Sequence, residues 1–229
     1  EAASSFVNPL TALGFIETLK MEGHKAMVHT AAASNLGQMV LKLCQQEEID
    51  LICVIRSDEQ AKLLKDLGAK YIINSNDDDF KDQLVDAMAE TDATLGFDAI
   101  GAGDMADTLL SCMERALSRN ASGLNTYGSD QHKQVYIYGR LAQGPVTLGQ
   151  SYGMHWGVGG WLLTPFLQKI GMEKMGELQA RVANEIKTTF SSNITDTLSL
   201  SDAIDPANIA RYMPKKTGEK YLITPQKDQ

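Results

Sequence analysis

The stretch Lys25-Ala-Met-Val-His-Thr-Ala-Ala-Ala-Ser-Asn-Leu-Gly-Gln-Met-Val-Leu41 decides the fold. It reads as a short apolar strand, a tight turn of small residues, and the start of an amphipathic helix. Such a turn lets the backbone approach a phosphate closely. The helix it opens offers unpaired N–H groups and the positive end of a dipole to an anion. Ala32, Ser34 and Gly37 occupy the G-x-G-x-x-G positions, so only the third glycine is kept. A small-residue turn leading into any helix shares this pattern, and the neighbouring segments must decide between the two readings.

Downstream, Ile49 to Ile55 is an apolar run rich in β-branched residues that ends at Arg56-Ser57, with Arg56 nineteen positions after Gly37. A second strand of a dinucleotide fold delivers its ribose-contacting side chain at this spacing. An acidic residue there accepts from a ribose 2′-OH, whereas a guanidinium with a neighbouring hydroxyl suits a 2′-phosphate. Arg56 and Ser57 therefore favour NADP(H) over NAD(H). The other reading is a solvated arginine after a strand.

The alternation extends in both directions. Pro9 to Glu22 has the spacing of a helix, with Leu10, Leu13, Ile16 and Leu19 as its apolar stripe and Asn8 as its expected N-cap. Strands are expected at Ala26–His29, Leu51–Ile55, Tyr71–Asn74, Thr94–Ile100 and Gln134–Gly139. Helices between them are expected over Leu36–Gln46, Asp58–Leu67, the stretch through Phe80 and Met88, and the stretch from Gly103 to Leu117. Five strands alternating with helices give an α/β class: a doubly wound, parallel-sheet Rossmann domain in three layers, α/β/α. Ser118 to Lys133 is polar and reads as a surface insertion. Beyond it, Val146–Leu148 is a candidate sixth strand, Trp161–Ile170 and Glu173–Phe190 read as helices, and Gly218–Pro225 as a late strand.

Composition narrows the function classes. The chain has 229 residues, 43% of them hydrophobic, and a formal net charge of −8. It is long enough for a sizeable core, and its charge would repel a polyanion, so nucleic acid is not an expected partner. No run approaches the ~20 apolar residues of a membrane span. Cys44, Cys53 and Cys112 are odd in number, widely spaced and set in apolar patterns, which suits reduced thiols in a cytoplasmic protein. No zinc is expected in this chain.

With these residues in view, the chain resembles the cofactor-binding half of the medium-chain dehydrogenase/reductases, the zinc-type alcohol dehydrogenase superfamily, and most of all its quinone oxidoreductase-like and enoyl reductase-like branches. The resemblance rests on Asn8-Pro-Leu-Thr-Ala12, Thr30-Ala-Ala-Ala-Ser-Asn-Leu-Gly-Gln38, Leu67-Gly-Ala69 followed by Ile72-Ile-Asn74, Phe97-Asp-Ala-Ile-Gly101 and Val135-Tyr-Ile-Tyr-Gly139. It implies a single Rossmann domain over residues 1–229 with a C-terminal extension. It also implies a GroES-like catalytic barrel before it, so that the chain is a fragment whose stretch Thr217–Pro225 closes that barrel.

Residue by residue, the resemblance sets the pyrophosphate at the N–H groups around Ser34, Asn35 and Leu36, and Thr11 near the nicotinamide ribose. Arg56 and Ser57 flank the adenosine 2′ position, and Ser75 sits beside the adenine. Ala99, Tyr138 and Gly139 line the nicotinamide side. Two departures stand out: many quinone-reductase relatives carry a lysine where Gln60 stands and an aromatic where Ser75 stands, which leaves phosphate selection to Arg56.

The function implied is hydride transfer to a quinone, enone or related carbonyl substrate bound through the missing barrel. Alternatives are the cofactor domain of a zinc-dependent alcohol dehydrogenase or of an enoyl-thioester reductase, and a non-catalytic nucleotide-binding or interaction module on the same fold. Catalytic residues are not identifiable: His155 is the best polar candidate, His24, His29 and His132 read as structural or solvated, and Asp98 as a brace for the following glycine turn. Residues 145–166 correspond to the relatives' dimer seam, with Trp156, Trp161 and Phe166 either anchoring an interface or closing the core over the sheet edge.

Overall fold

The computed structural model describes residues 2–119, 126–213, 217 and 220–228. Its centre is a six-stranded parallel sheet in the order β3-β2-β1-β4-β5-β6. The strands are β1 (Met27–His29), β2 (Leu51–Ile55), β3 (Tyr71–Asn74), β4 (Leu95–Asp98), β5 (Lys133–Ile137) and β6 (Trp156–Gly160). The order reverses between β1 and β4, as in the doubly wound Rossmann arrangement.

Alternation along the strands divides the core. Met27, Cys53 and Ile55 face one layer, formed by α1 (Val7–Glu22), α2 (Asn35–Gln46) and the long α6 (Leu163–Glu185). Val28, Ile52 and Val54 face the other, formed by α4 (Phe80–Thr91) and α5 (Met105–Ser118). Helix α3 (Asp58–Asp66) buries Leu64 beside the first layer. Strands covered on both faces need no polar side, which is why β2 is buried at all five positions.

Several expectations need correction. Helix α1 begins at Val7, with Phe6 at the cap and no side-chain capping bond, so Asn8 lies inside the first turn. Val146–Leu148 forms no strand; Val146 makes one isolated bridge to Gly103. The sixth strand is Trp156–Gly160, paired with β5 from Lys133↔Trp156 to Ile137↔Gly160. Trp161 and Phe166 close the core and are not surface anchors. Both are buried, the Trp161 ring meets Phe15 edge-on at 4.9 Å, and its indole N–H donates to Thr18 Oγ1. Helix α6 is two helices in one, broken at Gly171 (φ 81°, ψ 170°), which agrees with the two helices expected there.

The C-terminal segment forms β7 (Asp196–Leu198), two short helices, α7 (Leu200–Ala203) and α8 (Pro206–Tyr212), and β8 (Tyr221–Ile223). Strand β8 pairs in parallel with β7 of the same chain. Gly218 and Glu219, part of the expected late strand, lie outside the described residues, as do residues 120–125 of the polar insertion. Among the described residues no helix is long and apolar enough to cross a membrane.

One stabilising feature is invisible in the sequence pattern. Lys133, at the boundary of the polar insertion, is fully buried and pairs with Glu114 of α5 at 2.7 Å. Ser129 donates both its N–H and its hydroxyl to the same carboxylate, and the Lys133 ammonium also donates to Ser129 Oγ and the Gln131 carbonyl. The pair thereby pins residues 129–133 against α5. Removing one partner leaves an uncompensated buried charge, so Glu114→Ala is expected to lower stability by about 3–5 kcal/mol, read as a shift of the urea midpoint. A loss below about 1 kcal/mol would show that water reaches Lys133.

Candidate functional site

At the carboxyl ends of the strands lies a cleft of about 1290 Å³ between the sheet and the C-terminal segment. Open α/β sheets bind ligands at this place, where the strand order reverses. Its floor is the turn after β1. Ala31 adopts a left-handed conformation (φ 54°), Ser34 N donates to the Ala31 carbonyl, and Ser34 caps α2 by accepting from Gly37 N at 3.1 Å. The Asn35 and Leu36 N–H groups are the first two of the helix and have no carbonyl within it to pair with. Gly37 lies under the turn, where a Cβ would overlap the Ala32 carbonyl.

The structure brings five of the expected residues into the cleft wall: Ser34, Asn35, Leu36, Arg56 and Ser75. The other seven do not line it. Ala32 and Gly37 form the underside of the turn. Thr11 is buried on α1, and Asn8, one turn earlier, reaches the cleft in its place. Ser57 caps α3, its hydroxyl accepting from Gln60 N. Ala99 and Gly139 are packed backbone to backbone, since a Cβ on Gly139 would lie 2.6 Å from the Ala99 carbonyl oxygen. Tyr138 turns its ring into the core.

In their place at that end of the cleft stand Ile100, Leu141 and Ala142. Two hydrogen bonds fix them: Leu141 N donates to the Ala99 carbonyl and Ala142 N to the Ile100 carbonyl. Ile100 stands two residues past β4, in what was expected to be the last position of that strand. Leu141 and Ala142 carried no signal.

The electrostatics of the wall run against those of the chain. Arg56, Lys42 and Lys220 line the cleft, and no aspartate or glutamate among the described residues does, although the chain as a whole is at −8. Lys42 donates to the Thr188 carbonyl and Lys220 to Ser192 Oγ at 3.2 Å. Burial pulls the Lys220 ammonium below its ordinary pKa. The Arg56 guanidinium makes no ion pair with a described residue. Three cations and a helix N-terminus around one cleft suit a ligand carrying several phosphates.

The remaining candidates fall elsewhere. Asp98 accepts from Thr30 Oγ1, Ile100 N and Gly101 N, a brace with its oxygens committed. His24, His132 and His155 precede β1, β5 and β6, at the amino ends of parallel strands and away from the cleft. No three His, Cys, Asp or Glu side chains among the described residues are grouped to hold a metal ion. The cysteines are buried, and burial pushes the Cys53 thiol up to about 12.

Comparison with known proteins adds independent findings. The family model described as zinc-binding dehydrogenase matches residues 36–150. A structure assigned as an NADPH:quinone reductase from Mesorhizobium loti is 27% identical, with a TM-score of 0.75 over 97% of this chain and 60% of that one. The fold alone is shared with the Escherichia coli quinone oxidoreductase complexed with NADPH (18% identity, TM-score 0.70, 98% of this chain and 64% of that one). It is shared equally with a mycobacterial protein complexed with NADPH (19% identity, TM-score 0.67, 98% and 64%). The chain thus spans less than two thirds of the length of these relatives.

Beneath the cleft, His29 and Tyr138 form a buried pair, rings stacked with centroids 5.5 Å apart and Tyr138 Oη 2.7 Å from His29 Nε2. Burial, with Asp98 nearby, raises the phenol's pKa, so it stays protonated and shares a hydrogen bond with Nε2. Burial lowers the His29 pKa from 6.5 to about 3. The folded chain therefore holds His29 neutral while the unfolded chain takes up a proton below pH 6.5. The contribution of this neutral imidazole is intact above that value and is lost as pH falls toward 3, at up to about 1.4 kcal/mol per pH unit. His24, lowered in the same direction by burial, adds to the slope. His29→Phe is expected to flatten the dependence of urea stability on pH between 7 and 5.5; an unchanged slope would mean that His29 titrates freely in the fold.

Proposed function

The chain belongs to the zinc-binding dehydrogenase family, and from that premise we propose that it is the NADP(H)-binding part of an oxidoreductase acting on a quinone, an enone or a related carbonyl substrate. The observation that carries this reading is the cationic cleft, free of carboxylates among its described residues, at the carboxyl ends of the sheet of an acidic chain. In it the Asn35 and Leu36 N–H groups receive the pyrophosphate, with Lys220 facing them from the C-terminal segment. Arg56 receives the 2′-phosphate, and Ser75 lies on the adenine side. Ile100, Leu141 and Ala142 form the apolar wall against which the nicotinamide is held and from which water is displaced. Relatives solved with NADPH support the choice of cofactor.

The bound nicotinamide supplies the hydride chemistry; the chain's residues bind and orient it. Groups that select the substrate and move its proton are assigned to a GroES-like barrel outside these residues, consistent with the share of the relatives that the chain spans. The cleft wall contains no His, Cys, Asp or Glu among the described residues, so its donor set suits phosphates and not zinc. We also assign a homodimer contact to residues 145–166. Strand β6 is the last strand of the sheet among the described residues, and its Gly157, Gly159 and Gly160 put no side chain in the way of a second strand.

Calorimetric titration of the purified chain with NADPH and NADH tests the assignment. NADPH is expected to bind about tenfold or more tightly than NADH, in line with about 1.5–3 kcal/mol for a charge-assisted hydrogen bond. Arg56→Glu should abolish the preference, and Lys220→Ala should weaken both cofactors alike. Equal affinity in the unmodified chain would remove the 2′-phosphate from Arg56; binding of neither would favour a non-catalytic module on the same fold.

A further inference from the structure

We propose that Gln60 is a positioning residue for the cofactor's adenosine phosphate, fixing Arg56 at the strand end and tying the C-terminal segment over that end of the cleft. The proposal rests on the assignment of the cleft to NADP(H).

Gln60 is the third residue of α3, counted from the Ser57 cap. A glutamate or glutamine at this place in a helix reaches back to the backbone N–H of the cap residue itself. Here the reach is one residue longer: Gln60 Oε1 accepts from Arg56 N at 3.0 Å. The other side of the same residue is held as well, since Asn76 Nδ2 donates to the Arg56 carbonyl at 2.8 Å. The Arg56 backbone is thus gripped from both sides, while its guanidinium has no ion pair with a described residue and the residue lines the cleft. A cation on a fixed root loses less freedom when it meets a ligand.

The second half of the Gln60 amide acts across the cleft. Nε2 donates to Thr217 Oγ1 at 2.8 Å, and Gln60, Thr217 and Lys220 line the same wall. A lysine could donate to Thr217 but not accept from Arg56 N. The half-buried amide does both, accepting through Oε1 and donating through Nε2. One side chain thereby joins the phosphate-binding arginine to the segment that carries Lys220.

The test is a double-mutant cycle on the purified chain, with the ratio of NADH to NADPH dissociation constants as its readout. Gln60→Leu is expected to lower that ratio about three- to tenfold, the range of one hydrogen bond, with NADH weakened only as far as in Thr217→Val, because both substitutions remove the same tie. In an Arg56→Ala background the same substitution should leave the ratio unchanged, because Gln60 acts on selectivity through Arg56. Thr217→Val should weaken both cofactors in parallel, since it loosens the segment but leaves Arg56 fixed. An unchanged ratio in Gln60→Leu, a parallel loss of both cofactors there, or a full effect without Arg56 would overturn the positioning role. Wild-type affinity in Thr217→Val would overturn the tie. Failure of the cofactor assignment reads differently: the unmodified chain would show no preference for NADPH, or Arg56→Ala would leave the preference intact.

Discussion

The structure depends on the contact that holds β1 to β4 where the strand order reverses. Helix α2 leaves β1 toward one face and α5 leaves β4 toward the other, so no connection crosses above this pair and a crevice opens there. Something must keep the two strand ends together without filling the space above them. Thr30 does so: its hydroxyl donates to Asp98 Oδ1 at 2.8 Å and accepts from Ala99 N at 2.7 Å. The Asp98 carboxylate, itself almost fully buried, is satisfied by Thr30 and by the N–H groups of Ile100 and Gly101. A buried carboxylate is tolerated when its lone pairs are taken up in this way. The same bonds set the direction in which the chain leaves β4, and with it the position of Ile100 on the cleft wall.

The opposite wall is carried to its place by a run of polar contacts along α2. Arg181 of α6 bonds Glu47 and Glu185, Lys20 of α1 joins Glu47, and Gln46 and Thr189 meet at Glu185. Farther along, Lys42 holds the Thr188 carbonyl and Asn35 reaches Ser192. Each exposed pair contributes little alone, yet together they make residues 188–192 track α2 from its carboxyl end back to its amino end. The C-terminal segment then arrives directly over the first turn of that helix, bringing Lys220 to Ser192. A sequence of short-range bonds thus accounts for a cation placed far from Arg56 in the chain and facing the same cleft.

What was legible in the sequence follows from burial. The first five strands and the helices between them were readable because β-branched runs covered on both faces have no other place in a globular chain. Strand β6 was missed because Trp-Gly-Val-Gly-Gly has neither alternation nor propensity; its pairing with β5 makes it a strand. Asn8 and not Thr11 reached the cleft because Thr11, placed by resemblance, is buried on α1 while Asn8 sits in its first turn. Tyr138 looked like a lining residue by position, but its hydroxyl bonds Nε2 of the buried His29 ring and its ring packs on Phe15. Arg56, Ser75 and the α2 turn were legible because strand ends and helix starts are fixed by the backbone, while the C-terminal half of the cleft depends on tertiary contacts that no local pattern encodes.

The degraded phosphate turn follows the same logic. Three glycines in such a turn answer three separate demands: an unusual backbone conformation, room for the ligand, and close packing of the helix on the strand. The first is taken up one residue before the fingerprint, by Ala31, whose left-handed φ of 54° costs about 1 kcal/mol relative to glycine, so that Ala32 at the first fingerprint position has no left-handed φ to adopt. The second is met by Ser34, small enough to keep its neighbours' N–H groups open and able to cap the helix besides. The third cannot be met by any side chain, because a Cβ at residue 37 would overlap the Ala32 carbonyl. Glycine persists at the position where hard-sphere contact leaves no substitute, and is replaced at the two where a small strain or a small side chain suffices.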